Sequence, residues 1–437
     1  MIRYRSVAFP NLNINKKDTL KELIFFERSD CLSHEESLYW KDLLYRVIKV
    51  GTELEYALPQ GVKKKDVLPK IIDELRPSYN INQLGPYGVL DVENEHCGFE
   101  VRVIGRQPYY QALLQQYKHI ISVISKFGAR TKYTCGLHYH LIAIGLNEYV
   151  PEIILANFWN LVRRYAPSLK FMTSTGSKRE ALCRRRNHNS HLEMIRLCPS
   201  VRSMKDIQLH LNNSKIVPKH QNFFNLEHLR FSDSGAVENF HIEFRFPDAN
   251  LSAISVVVKM FLFLAILFKA VEMSQFGLIH VGRTSEWKRK MALLDMLSNN
   301  DGNLASSDTS KITEAELNEL RKGSHELLGL LKPLFVNFNN NPSFEILSFL
   351  AHTPVCLLRM QGSSWEQIET MLQKRAQKQK IDWDPVDRKI IRVIELALLT
   401  GLNSVQEWKK SVIRELRISS PELENRLTEY NYWRGLY

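Results

Sequence analysis

Three short stretches of this 437-residue chain set ionisable side chains two residues apart. Gly51-Thr52-Glu53-Leu54-Glu55 carries two carboxylates, and Cys135-Gly136-Leu137-His138-Tyr139-His140-Leu141 carries two imidazoles. His241-Ile242-Glu243-Phe244-Arg245-Phe246-Pro247-Asp248 sets a carboxylate beside a guanidinium. On a β-strand, residues i and i+2 project from the same face. Two carboxylates so placed repel unless a cation joins them, and hard oxygen ligands suit Mg²⁺ or Mn²⁺ rather than zinc. Of His138 and His140, one imidazole can ligate a metal while the other donates to a phosphate oxygen. Glu243 and Arg245 make an ordinary structural ion pair in most settings. In a phosphoryl-transfer site the Glu holds a metal and the Arg neutralises charge on the transferring phosphate oxygens. A fourth stretch, Asp91-Val92-Glu93-Asn94-Glu95 and then Gly98-Phe99-Glu100-Val101-Arg102, adds Glu93, Glu95 and Glu100, with Asp91 on the face of Glu93 and Glu95. Each motif alone also has a plain reading: a solvated strand face, a pair of surface histidines or a zinc site, a surface acid at Glu95.

These side chains need strands to hold them, and the hydrophobic patterning supplies candidates. Alternation predicts strands over 47–56 and 131–144, with strand and turn signals over 80–103 and further strands over 223–229 and 240–246. Helical spacing appears near 20–26 and 38–45 and over 66–76, 109–127 and 153–165. In the 66–76 helix Asp66 is the expected cap and Pro69 falls in the first turn; Pro167 is expected to end the 153–165 helix. The apolar run 254–271, interrupted by Lys259 and Lys269, reads as a buried helix and is short for a membrane span of ~20 residues. The basic segment 176–193 reads as a loop and 298–310 as a linker. Helical patterns then dominate, over 313–333, 343–358, 364–379, 385–400 and 404–416. The expected organisation is an N-terminal extension (1–45), a mixed α+β domain (46–275) and an all-α C-terminal domain (276–437), in keeping with ~100–200 residues per domain.

Composition is that of a globular chain, 44% hydrophobic and 24% charged. The formal charge of +12 suits anionic partners: nucleotides, nucleic acids, acidic peptides or wall polymers. It is equally met by a generally basic, soluble surface. The six cysteines form no C-x-x-C pair and fit neither a zinc finger nor a disulfide framework, which suits a reducing, cytoplasmic setting. No signal-peptide pattern opens the chain.

The order G-T-E-L-E, G-F-E-V, C-G-L-H-Y-H and I-E-F-R-F-P-D resembles the carboxylate–amine ligases related to glutamine synthetase and glutamate–cysteine ligase, and within them the amidoligase branch, over about residues 48–270. The resemblance implies a glutamine synthetase-like curved antiparallel sheet with flanking helices, whose inner face holds ATP and Mg²⁺ (or Mn²⁺). It implies that Glu53 and Glu55 hold different ions. Glu100, with Glu93 or Asp91, would join the metal cluster; His138 would be a metal ligand and His140 would lie by the ATP phosphates. Glu243 would bind metal, and Arg245 the phosphate or acyl-phosphate. Arg184, Arg185, Arg186 and Arg196 are candidates for the family's basic residues between the His and Glu-Arg motifs, Arg186 as a catalytic one. Asn225 resembles an Asn ahead of the last motif, with a strand-end turn residue as its plain reading. Where the family often has an Asp-Gly-Ser turn, this chain has Asp91-Val92-Glu93-Asn94-Glu95, which leaves open which acid completes the metal set.

The implied reaction joins a carboxylate and an amine, on small molecules, peptides or proteins, through an acyl-phosphate. Three rivals remain. A guanidino phosphotransferase of the phosphagen type needs the same metal–nucleotide site. A nucleic-acid or polymer-binding protein would use the basic runs Lys63–Lys65 and Arg184–Arg186, but aromatics are not interleaved with them as stacking platforms would be. A metal hydrolase would lack an H-E-x-x-H motif. A homo-oligomer is compatible with the sequence. Trp365, Trp383, Trp408 and Trp433 read as core or interface packing.

Overall fold

The structure is a computed structural model that describes residues 4–6, 24–26, 31–75, 88–132, 135–174, 224–225, 228–234, 236–275, 277–279, 313–335, 341–378, 419 and 421. Its centre is an antiparallel sheet. Its strands are β3 (Lys49–Tyr56), β4 (Val89–Glu95), β5 (Gly98–Arg106), β6 (Leu137–Glu148), β7 (Phe224–Asn225), β8 (Arg230–Phe231) and β9 (Val237–Phe244). Their spatial order is β4-β5-β3-β6-β9-β7, with β8 also paired to β9. A separate three-stranded sheet joins β1 (Tyr4–Ser6), β2 (Ile24–Phe26) and β10 (Leu278–Ile279). The architecture is α+β, and the motif strands are neighbours in the larger sheet.

Strict alternation divides that sheet into two chemically different faces. Leu54, Tyr56, Phe99, Val101, Leu137, Tyr139, Leu141, Phe240, Ile242 and Phe244 are buried on one face. Helix α6 (Ala253–Met273) lies against it: the Phe263 ring stacks on Phe244 at 4.1 Å and approaches Tyr139 at 5.1 Å. Helix α3 (Tyr110–Lys126) joins through Tyr117, whose hydroxyl is 2.7 Å from Thr52 Oγ1. Residues between these positions point to the opposite face and carry the ionisable groups.

α6 has the length and apolar content of a membrane span, yet it is buried along its whole length inside the protein. Such an all-round apolar helix needs cover on every side. It receives it from α3, from α1 (His34–Val47) and α4 (Glu152–Arg164), and from α7 (Glu314–Phe335), α8 (Ser343–His352) and α10 (Trp365–Lys378). α1 starts at a capping box, Ser33 and Glu36 bonding reciprocally. Asn157 of α4, wholly buried, donates to Ser274 Oγ (3.1 Å) and Gly277 O (2.8 Å) and accepts from the Ile279 N–H (2.8 Å), fixing β10.

Several expectations are corrected. Residues 24–26 are strand, not helix: Ile24-Phe25-Phe26 gain partners from β1 and β10, and the pairing overrides a short apolar run. Helix α2 (Lys64–Leu75) begins before Asp66, which therefore lies inside its first turn instead of capping it. Pro69 falls in the second turn, where its missing N–H leaves a helical bond unmade. α4 ends at Arg164, ahead of Pro167 as expected, and Pro167 then stands in the first turn of a further helix, α5 (Ala166–Thr173), which its fixed φ suits. The 343–358 helix is two, α8 and α9 (Val355–Met360), divided at Pro354. The expected loop 176–193, linker 298–310 and helices 385–400 and 404–416 lie outside the described residues.

Candidate active site

Sheet register brings the motifs into rows. Glu53 lies opposite Arg102 on one side and His138 on the other; Glu55 lies opposite Glu100, Glu100 opposite Glu93, and His140 opposite Glu243. Six predicted residues, Glu53, Glu55, Glu100, His138, His140 and Glu243, thus share one face of four adjacent strands, and Arg245 follows just past the end of β9. They are brought together from positions almost two hundred residues apart in the chain.

His138 on β6 is the hub. Its Nδ1 is 2.8 Å from Glu53 Oε2 and 3.3 Å from Glu243 Oε1, and its Nε2 is 3.3 Å from Glu55 Oε1. Glu55 is held further by the Gly136 N–H, which donates to Oε2 at 2.6 Å. Arg245, one residue past the end of β9, pairs with Glu243. His140 Nε2 is buried with no hydrogen-bond partner and lies 3.7 Å from Glu53 Oε1. A buried polar atom without a partner is costly and points to a missing ligand.

The donor atoms form two sets in which all members lie within 4.8 Å of one another: Glu53, Glu100 and His138, and Glu53, His140 and Glu243. Each set has two carboxylates and one imidazole, and Glu53 belongs to both. Oxygen-rich sets of this kind fit Mg²⁺ or Mn²⁺. The two imidazoles fall in different sets, which argues against a single zinc ion held by the His pair. No cysteine takes part in either set.

Burial and crowding set the proton affinities. Glu100 is pushed up to about 7, first by burial and then by the negative charge of Glu53, against the pull of Arg102. His140 is held down to about 3 by burial, opposed by Glu53 and aided by His241, His138 and Arg245. At neutral pH it is an uncharged imidazole, the form that can ligate a metal. His241 is likewise brought down to about 4 by burial and by His228.

Three participants escaped the sequence reading. Arg102 reaches Glu100 and Glu93 at 2.7 and 2.8 Å. His241 Nε2 lies 2.8 Å from His140 Nδ1, one of the two nitrogens donating, and His228 stacks on the other side of His241 at 4.9 Å. The i, i+2 spacing that singled out Glu243 and Arg245 also holds for Glu100 and Arg102 and for His241 and Glu243. Glu93 lies beside the cluster, in contact with Arg102 and outside both donor sets. Asn225 lies on β7, its backbone opposite Glu243. Arg184, Arg185, Arg186 and Arg196 lie outside the described residues.

No family model matches the chain, and no curated protein does. Nine chains of solved structures match. Among them is the complex between prokaryotic ubiquitin-like protein Pup and its ligase PafA, at 11% sequence identity and a TM-score of 0.38, covering 85% of this chain and 80% of that one. A likeness so loose bears no weight on the site, whose chemistry rests on its own residues.

Proposed function

We propose that the chain is an ATP- and Mg²⁺-dependent ligase that joins a carboxylate to an amine. The supporting observation is the convergence of Glu53, Glu55, Glu100, His138, His140 and Glu243 on one sheet face, beside Arg245, with the buried Nε2 of His140 left without a partner. A charged face of this density suits a polyphosphate bound with divalent ions. The motif order supports the ligase chemistry.

Glu53, Glu100 and His138 would hold one ion and Glu53, His140 and Glu243 a second; Glu55, expected as a metal ligand, lies outside both sets and would support the first through His138. Bound ions supply charge neutralisation to phosphate oxygens. The remaining work belongs to the side chains. A carboxylate resists an amine because its oxygen leaves poorly, and phosphorylation by ATP converts it into an acyl-phosphate. Catalysis of that transfer is mostly positioning and electrostatic stabilisation. Arg245, oriented by Glu243 two residues earlier, would neutralise charge on the phosphoryl or acyl-phosphate. His140 is kept neutral and aimed by His241. Arg184, Arg185, Arg186, Arg196 and Asn225 enter the proposal from the sequence alone, as further contacts to nucleotide and phosphate.

The test incubates the full chain with ATP, Mg²⁺ and pools of carboxylates and amines spanning small molecules, peptides and proteins, with mass spectrometry of the products. The expected result is ADP together with a product equal to acid plus amine less water. Glu53→Gln, which removes the carboxylate shared by both sets, should lower turnover by roughly 10²–10³-fold. Absence of ADP with every pool overturns the reading, and a phosphorylated guanidino product replaces it with the phosphotransferase.

A further inference from the structure

The β4 side of the site carries a charge problem that the two donor sets leave unsolved. Glu93 stands opposite Glu100, and Glu100 opposite Glu55, so three carboxylates lie side by side across β4, β5 and β3. Neighbouring strands are ~4.8 Å apart, and like charges directly opposite one another destabilise a sheet. Glu93 belongs to neither donor set.

Arg102 answers the problem from the next row. Its Nη1 is 2.8 Å from Glu93 Oε1, and its Nε is 2.7 Å from Glu100 Oε1 and 3.9 Å from Glu53 Oε1. One guanidinium therefore touches two acids and approaches a third, on three strands. It is ionised at every pH at which a protein folds, and its planar fork holds two carboxylates in a fixed relation. On the other side of the site Arg245 pairs with Glu243.

We propose that Arg102 is a built-in cation that occupies the place a third divalent ion would need between Glu93 and Glu100, so that the centre takes two divalent ions and Glu93 serves Arg102 instead of a metal. The proposal rests on the metal-centre reading above and deepens it. Arg102 fixes the number of ions and keeps the carboxylate row intact when no metal is bound.

The test counts ions directly. The full chain, without nucleotide, is titrated with Mn²⁺ and the free ion is read by electron paramagnetic resonance. Wild type should bind two ions. Glu93→Gln should also bind two, without the roughly 10–100-fold loss of affinity that follows damage to a metal's immediate surroundings. Arg102→Gln, a partly exposed position whose folding is checked by circular dichroism, should gain a third. One or three ions in wild type, an ion lost in Glu93→Gln, or an unchanged count in folded Arg102→Gln overturns the proposal. No ion in wild type overturns the metal centre itself, and the proposal with it.

Discussion

Lys259 lies in the first half of α6, fully buried, and its Nζ has no hydrogen-bond partner. Nearby is the buried ion pair of Lys170 and Asp248, 2.7 Å apart, which has no exposed surface either. Burial holds the Lys259 ammonium down to about 7 from 10.5; Asp248 and Cys356 oppose that fall and Lys170 adds to it. Lys259→Met keeps the stem and removes the group that burial penalises. In the unfolded chain the amine stays protonated to about 10.5, whereas in the folded chain it loses its proton near 7. The unfolded state therefore binds more protons between these values, and wild-type stability rises with pH across that window. Below pH 7 the folded chain carries the full cost of a buried ammonium, about 5 kcal/mol at ~1.4 kcal/mol per tenfold change in acidity. The substitution should recover most of that at pH 6 and progressively less toward pH 10. With a urea dependence of about 3 kcal/mol/M, the unfolding midpoint at pH 6 should rise by more than about 1 M. Urea unfolding of both proteins at pH 6, 7.5 and 9 measures the difference. A variant less stable than wild type at pH 6, or a gain that does not shrink with pH, refutes the reasoning.

Gly98 opens β5 where a Cβ would meet Tyr56 O at 2.1 Å. Gly98→Ala should destabilise by about 1–3 kcal/mol and, by pushing β5 from β3, weaken Mn²⁺ binding through Glu100; a thermal melt and a Mn²⁺ titration check both. Asn157→Leu strands the Ile279 N–H and Gly277 carbonyl in the core, for an expected loss of roughly 2–5 kcal/mol and faster hydrogen exchange at the Ile279 amide. Metal binding should also be pH-dependent. Glu100, raised from 4.5 to about 7, must shed its proton to serve as a ligand, so Mn²⁺ affinity should climb between pH 6 and 8 with proton release. Calorimetry in buffers of different ionisation heat reads that release, and a flat profile without it removes Glu100 from the donor set.

The strands that carry the site were readable because alternation is a local signal. Leu137, Tyr139 and Leu141 against His138 and His140 already imply one buried face and one chemical face, and the structure keeps that division. Convergence was readable only as motif order, since nothing local in Glu53 or Glu243 says that β6 lies between them. Arg102 went unread for the same reason. Its role depends on β4, β5 and β3 being neighbours in register, and in the sequence it is one basic residue after an acid. The misplaced elements have separate causes. Ile24–Phe26 take their conformation from β10, more than two hundred residues away, whereas the break of the 343–358 helix at Pro354 was marked locally by the proline itself.

Strand β6 is bonded on both sides, to β3 and to β9, and it alternates without a break between His138, His140 and the apolar Leu137, Tyr139 and Leu141. A slip of one residue would swap the two sets. The imidazoles would then press into α6 with no polar partners, and Leu and Tyr would point among the carboxylates. The strand thus works as a parity check: odd and even positions certify one another, and a one-residue slip spoils both faces together. Metal retention then reports on the whole sheet. On the proposed reading, a chain that bound divalent ions would also have assembled its core, so a metal-affinity step would sort correctly folded molecules from misregistered ones.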